Sequence, residues 1–494
     1  MARGSIEPVE ADGNYTLDDY ASMAHLSGPV AQLRREAVAL KRAIGDRRVM
    51  MLNSTARGGG VAEMMPRLVS LLSEVGVRTE WWTMSADDPK FFSFTKRIHN
   101  LIHGAGDPNI GADEARVYDD VSSSVADALM KELSDDDVLV VHDPQPAGAG
   151  AKLAKRGWST IWRCHIGLDH DNEQTESAWS FLEPYIREYH HTVFTAVEYI
   201  PNYLSSTVSI IPPALDPFSH KNRELAIHEV VGILCNAGLA HCPFDMVTAP
   251  FEHQAERLQP DGSFAPANVP EDLGILHRPT VTQISRWDRL KGWRGLLDGF
   301  IRLKREAAQR GNDGGRHERR LRLVRLILAG PEPAAVQDDP EAKDVLEELI
   351  DVYRGLDPDL QRDVALLSLP MSSRKYNALM VNALQRCSSV VVQNSLQEGF
   401  GLTATEAMWK RLRVVGTRAC GLRQQIRNGI DGYLIDDPTN PEEIADVLDR
   451  TLGLSHERAA LITSAQRRVY DEYLVFRQVS RWLTVMASVA QGDG

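Results

Sequence analysis

Short β-branched runs alternate with stretches of helical periodicity along most of the chain. From Tyr15 to Ile44 apolar residues recur at helical spacing, and RRVMMLNST then reads as a strand running into the glycine stretch ARGGG. Val61, Met65, Leu68, Leu72 and Val75 follow on one helical face, with Gly76 as the stop. The pattern predicts a strand, a glycine loop and a helix. VLVVHDPQPAG (138–148), TIWRCHIG (160–167) and HTVFTA (191–196) repeat the theme, each a short apolar strand ending in a polar loop. A second series comprises PTVTQISRWDRLKGW (279–293), LRLVRLILAGP (321–331), RDVALLSLP (362–370), SSVVVQNS (388–395), LRVVGTRA (412–419) and GYLIDD (432–437). Strands alternating with helices imply parallel sheets, whose ligands sit at the carboxyl ends of the strands.

Two doubly wound α/β domains with a cleft between them are therefore expected. Residues 1–14 are polar and read as a flexible N-terminus, and 15–224 as the first domain. The Pro- and Gly-containing stretch 225–275 reads as an insertion or linker. Residues 276–456 form the second domain, and 457–494 form C-terminal helices expected to cross back to the first.

Composition narrows the function classes. Of 494 residues, 43% are hydrophobic and 25% charged, as in an ordinary globular protein with substantial cores. A formal charge of −13 argues against nucleic acid as partner, because phosphate backbones need a basic face. No apolar run approaches the roughly 18 residues of a membrane span, and the N-terminus lacks a signal-peptide core, so a cytoplasmic location is expected. The cysteines at 164, 235, 242, 387 and 420 are odd in number and scattered, as for free thiols; Cys235, His241 and Cys242 match no zinc spacing.

The segment VVVQNSLQEGFGLTATEAMWKR (391–412) carries the most chemistry. Gly399, Phe400 and Gly401 lead into a helix whose first amides, at Leu402 and Thr403, offer unpaired donors suited to a diphosphate. Glu406, a turn further on, suits a ribose cis-diol, and Glu398 suits sugar hydroxyls. Arg286 and Lys291 follow the strand VTQIS, where both cations can neutralise a leaving diphosphate without a metal ion. The acidic runs SDDD (134–137), QDDP (337–340) and DPD (357–359) read as solvated helix starts and turns. No metal site and no cofactor are expected.

Seven stretches, NSTARGGGVAEMMPRLVSLLSEVG, FFSFTKRIHNLIHG, VHDPQPAG, WRCHIGLD, IIPPALDPFSHKN, VTQISRWDRLKGW and QEGFGLTATEAMWK, together resemble the retaining glycosyltransferases of family 4, in the trehalose synthase and trehalose phosphorylase branch. The resemblance implies the GT-B fold, two Rossmann-like domains facing a cleft, and transfer of an α-hexosyl unit with retention. It assigns Arg286 and Lys291 to the donor phosphates, Glu398 to the donor sugar and Glu406 to the ribose. Gly59 and Gly60 would let the first-domain loop close over the donor, and His165 would face the transferred sugar. Lys96, His99, Asn100, Asp143 and Gln145 would shape the acceptor side. The implied partners are a nucleotide sugar (ADP-, UDP- or GDP-glucose) and a small sugar acceptor; a homodimer is left open. The chain departs from the family at Asn394, where lysine is usual, and at Gly167, where an acid is usual. Either change can alter the donor or acceptor.

Disaccharide phosphorolysis is the near alternative, with inorganic phosphate in the cation site. A non-catalytic regulator that binds nucleotide sugar is a more distant one. A dinucleotide oxidoreductase is disfavoured because ARGGGVAE lacks the GxGxxG spacing.

Overall fold

The fold, obtained as a computed structural model, is described for residues 3–11, 13–57, 59–204, 207–241, 248–268, 271–310, 315–332, 341–453 and 457–492. The chain forms two compact units, Met1–Ala214 with Tyr473–Gly494, and Leu215–Glu472.

In the first unit, strands β1 (Gly4–Val9), β2 (Val49–Asn53), β3 (Thr79–Ala86), β4 (Val138–His142), β5 (Ser159–Cys164), β6 (His191–Phe194) and β7 (Val208–Ile210) form one sheet in the order β1-β3-β2-β4-β5-β6-β7. All pairs are parallel except β1 with β3. The runs VMMLN and VLVVH are buried along their whole length, because helices cover both faces of a parallel sheet. Strand order reverses between β2 and β4, so their carboxyl ends border the crevice where such sheets bind ligands.

The second unit holds β8 (Glu256–Leu258), β9 (Phe264–Pro266), β10 (Thr280–Ile284), β11 (Arg325–Pro331), β12 (Val364–Leu369), β13 (Val390–Gln393), β14 (Arg413–Thr417) and β15 (Tyr433–Ile435), in the order β15-β14-β13-β10-β11-β12-β8-β9. Its six parallel strands run 6-5-4-1-2-3, the Rossmann arrangement, with the reversal between β10 and β13. Alternate residues serve opposite cores: Leu326, Leu328 and Leu366 pack on one face, and Ile327, Ala329, Ala365 and Leu367 on the other.

Two placements differ from the expectation, and a third, the crossing back of the C-terminal helices, holds for the last helix alone. Residues 4–9, read as part of a flexible N-terminus, form β1 and satisfy the otherwise open edge of β3, with the Ser124 hydroxyl donating to Gly4 O at 2.9 Å. The 225–275 stretch, read as a linker, contributes helix Ile227–Asn236 and the β8-β9 hairpin, which extends the second sheet by antiparallel pairing with β12. Helix Glu457–Glu472 stays with the second unit, while Val475–Gln491 packs on Ser27–Ile44 of the first, with Phe476 edge-on to Tyr20 at 5.1 Å. Among the described residues no helix is long and apolar enough to cross a membrane.

Candidate active site

Most of the chemistry-bearing residues lie at the two strand-order reversals, one in each unit, while His165 follows β5 and Lys96, His99 and Asn100 lie on the helix after β3. In the second unit, β10 runs into Ser285 and Arg286, then the short turn Arg289–Lys291, then helix Trp293–Gln309. Trp287 and Trp293 pack with ring centres 4.7 Å apart and donate to Pro331 O and Arg286 O, which fixes the turn. Arg286 is 61% exposed, with Asp288 at 3.5 Å. Lys291 is only 14% exposed and its Nζ lies 2.8 Å from Glu398 Oε2, which also accepts from the Ser395 hydroxyl. Leu396 N donates to Leu290 O at 2.8 Å, so the loops after β10 and β13 are tied by backbone as well as by charge.

Gly401 adopts φ 83°, a left-handed value that disfavours side chains, and caps helix Leu402–Trp409. Among the described residues no side-chain cap bonds the first turn of that helix. Its loop is held from behind by the buried Gln425, which donates to Phe400 O and Gly421 O. Glu406 is 5% exposed, and its carboxylate has no hydrogen bond to a described residue; its nearest cation is Lys221 Nζ at 3.9 Å. Four residues on, the buried Lys410 ammonium donates to Gln385 Oε1 at 2.6 Å and Asn222 Oδ1 at 3.2 Å. Burial lowers its pKa to about 7, against the opposing pull of Glu406.

In the first unit, Gly59 and Gly60 open helix Gly59–Glu74 beyond β2, and a methyl at Gly60 would meet open space. Across the strand-order reversal, β4 ends at His142 and Asp143 follows it. Asp143 takes φ 66°, a strained value for a residue with a side chain, and its Oδ1 accepts from His165 N at 2.9 Å. Burial raises Asp143 to about 6, opposed by that amide and by Arg163. His165 is half-buried, with Nε2 at 2.9 Å from His142 Nδ1. Gln145 Oε1 is buried without a hydrogen-bond partner among the described residues. Lys96, His99 and Asn100 share one face of helix Pro89–Ile102; burial, then Lys96, lowers the His99 pKa. No hydrogen bond between described residues joins these three side chains to Asp143, Gln145 or His165. The link is indirect: Phe91 packs on Tyr118, whose hydroxyl donates to Pro144 O at 2.8 Å.

Both departures from the family pattern have local physical reasons. A Cβ at Gly167 would stand 2.1 Å from the Tyr199 ring, so this packing leaves no room for an acid. Asn394 is fully buried and donates to Gly292 O and Pro438 O at 2.9 Å each; it ties three loops together. Sequence reasoning passed over His142, Arg163, Lys410 and Gln425, whose partners lie far away in the chain. Among the described residues no group of His, Cys, Asp or Glu is arranged to hold a metal ion. Within SDDD, Asp137 pairs with Arg48 at 2.9 Å and accepts from Ser134 N, and Asp357 precedes helix Pro358–Asp363; QDDP and Cys242 lie outside the described residues.

Two doubly wound α/β units, each with a strand-order reversal, are the make-up of the GT-B class. The α,α-trehalose 6-phosphate synthase of Burkholderia multivorans shares this fold, with a TM-score of 0.61 over 91% of this chain and all of that one, at 17% identity. Residues 51–201 match the family described as trehalose synthase, N-terminal domain, and 371–468 the glycosyl transferases group 1 family. The trehalose synthase of Thermococcus litoralis is 30% identical over 448 residues, covering 90% of this chain and 91% of its own. A trehalose phosphorylase of Pleurotus sajor-caju is 24% identical, over 90% of this chain and 58% of that protein. The chain belongs to the trehalose synthase family and is a retaining glycosyltransferase.

Proposed function

We propose that the enzyme moves an α-glucosyl unit from a nucleoside diphosphate glucose to a small sugar in the cytoplasm, in the manner of a trehalose synthase. The observation that carries this reading is the Lys291–Glu398 pair at the β10/β13 reversal. A cation for the leaving diphosphate and a carboxylate for the sugar hydroxyls then stand side by side, at the two ends of the bond to be broken. Arg286 and the uncapped amides of Leu402 and Thr403 supply further positive potential as charge develops on the diphosphate, so no divalent ion is needed. Glu406, buried and without a hydrogen bond among the described residues, is suited to receive the two hydroxyls of a ribose. That favours a nucleotide donor over inorganic phosphate.

On the acceptor side, His165, held by Asp143, faces the transferred sugar, and Gln145 offers an unused carbonyl to a hydroxyl donor. Lys96, His99 and Asn100 line the acceptor's far side. Gly59 and Gly60, which open the helix beyond β2, would let the first-domain loop close over the donor. With no nucleophilic side chain required, the protein acts by holding the acceptor on the face from which the diphosphate departs.

The test is incubation with ADP-, UDP- or GDP-glucose and free glucose, followed by proton NMR of the first product. An α-linked disaccharide is expected. A β-linked first product, or turnover only of a disaccharide with inorganic phosphate, would overturn the reading.

A further inference from the structure

His142 and His165 form a pair of which the reaction as outlined uses only His165. Their rings are nearly coplanar, at 13°, with centres 5.2 Å apart and His142 Nδ1 at 2.9 Å from His165 Nε2. The centre separation equals the hydrogen-bond length plus the two ring radii. The contact is therefore an in-plane, edge-to-edge N–H···N bond, with no face-to-face stacking.

One ring must donate and the other accept, and the surroundings decide which. His142 Nε2 is buried and has no hydrogen-bond partner among the described residues. His142 is 1% exposed, and after His165 the next ring is Trp482, with centres 6.0 Å apart, whose aromatic face offers no acceptor lone pair. A proton on Nε2 would be an orphaned buried donor, whereas an orphaned lone pair costs less. The proton of His142 therefore sits on Nδ1 and is donated to His165 Nε2. A neutral His165 must then carry its own proton on Nδ1, the ring nitrogen that makes no hydrogen bond with a described residue. Both rings are held neutral: burial, then Arg163, lowers His142 to about 3, and the same two causes with His142 lower His165. The ionisable groups about the pair are Arg163, Asp143 and Cys164. Arg163 donates to Thr195 Oγ1 and Ile211 O, and Asp143 accepts from the His165 amide, so neither takes the imidazole proton.

We infer that His142 is a positioning residue that fixes the tautomer of His165, so that His165 presents Nδ1–H as a hydrogen-bond donor toward a substrate hydroxyl. This rests on the reading that His165 faces the transferred sugar, and it adds the direction of that hydrogen bond. A donor at Nδ1 recognises a hydroxyl through its oxygen. It would stabilise that oxygen without removing a proton, which gives His165 an orienting role in place of a general base.

The test has two independent arms. Nitrogen-15 NMR of the histidine-labelled protein without ligands, with His165 assigned through His165→Gln, should show Nδ1 protonated and Nε2 unprotonated. The reverse pattern overturns the inference whatever the activity. In the kinetic arm, His142→Asn keeps an amide donor at the position of Nδ1 and should retain turnover, whereas His142→Leu should lose about tenfold in kcat with unchanged donor affinity. If the wild-type tautomer is as expected but His142→Leu turns over normally, the ring of His165 does not serve the reaction. That outcome overturns the catalytic half of the inference and the placement of His165 at the sugar together. Should His142→Leu fail to fold, the wild-type tautomer and His142→Asn still decide the matter.

Discussion

Replacing Lys291 by methionine removes one charge and keeps most of the side-chain volume. In the free protein the change leaves the Glu398 carboxylate, 13% exposed, with the Ser395 hydroxyl as its remaining side-chain partner. Stranding a group that far from water costs about 1–3 kcal/mol of stability. Against the donor, the loss is a hydrogen bond to a charged phosphate, about 1.5–3 kcal/mol or roughly 10- to 150-fold in Kd. The two effects separate in the double variant. Glu398→Gln in the Lys291→Met background neutralises the stranded carboxylate, so stability should recover while nucleotide affinity should not. Urea unfolding gives the first quantity and calorimetric titration with nucleoside diphosphate the second. A nucleoside diphosphate Kd within twofold of wild type in Lys291→Met, alongside reduced stability, would show that Lys291 serves only to neutralise Glu398.

Glu406→Ala should weaken nucleotide-sugar binding by about 1–3 kcal/mol while leaving binding of a sugar 1-phosphate nearly unchanged, since only the former has a ribose; equal losses in parallel titrations refute the assignment. Activity should survive EDTA, and Arg286→Ala should raise the donor Kd; loss of activity restored by magnesium or manganese would show that a metal, and not the cation pair, meets the leaving charge. Acidification should destabilise the first unit through His142. The unfolded chain takes up a proton below about pH 6.5 while the folded ring resists down to about 3, so stability falls as pH drops through that window, by about 2 kcal/mol between pH 6.5 and 5. Asp143, raised to about 6, works in the opposite sense, so the check compares urea unfolding of wild type and His142→Asn at both pH values; equal slopes refute the claim.

Where one short element carries both halves of a signal, the sequence suffices. The buried runs at Val49–Asn53, Val138–His142, Thr280–Ile284 and Val390–Gln393 were legible because strands covered on both faces are apolar throughout, and alternation with helices then requires parallel sheets. That Gly401 stands before a helix and that the cations follow β10 was legible for the same local reason. Only tertiary structure decided features whose two halves lie far apart in the chain. Residues 4–9 have little strand signal of their own and are fixed by the open edge of β3. The Glu256–Pro266 hairpin, with only three residues in each strand, needs β12 to pair with. In the site, the polarity of Lys291 and Glu398 was readable but not their pairing across 107 positions, and nothing near His142 in sequence announces His165, 23 residues on. Periodicity reports which face of an element is buried. It does not report what another element places against that face, so the partners of Gly167, Asn394 and His142, and with them the chemistry of the site, are set by packing.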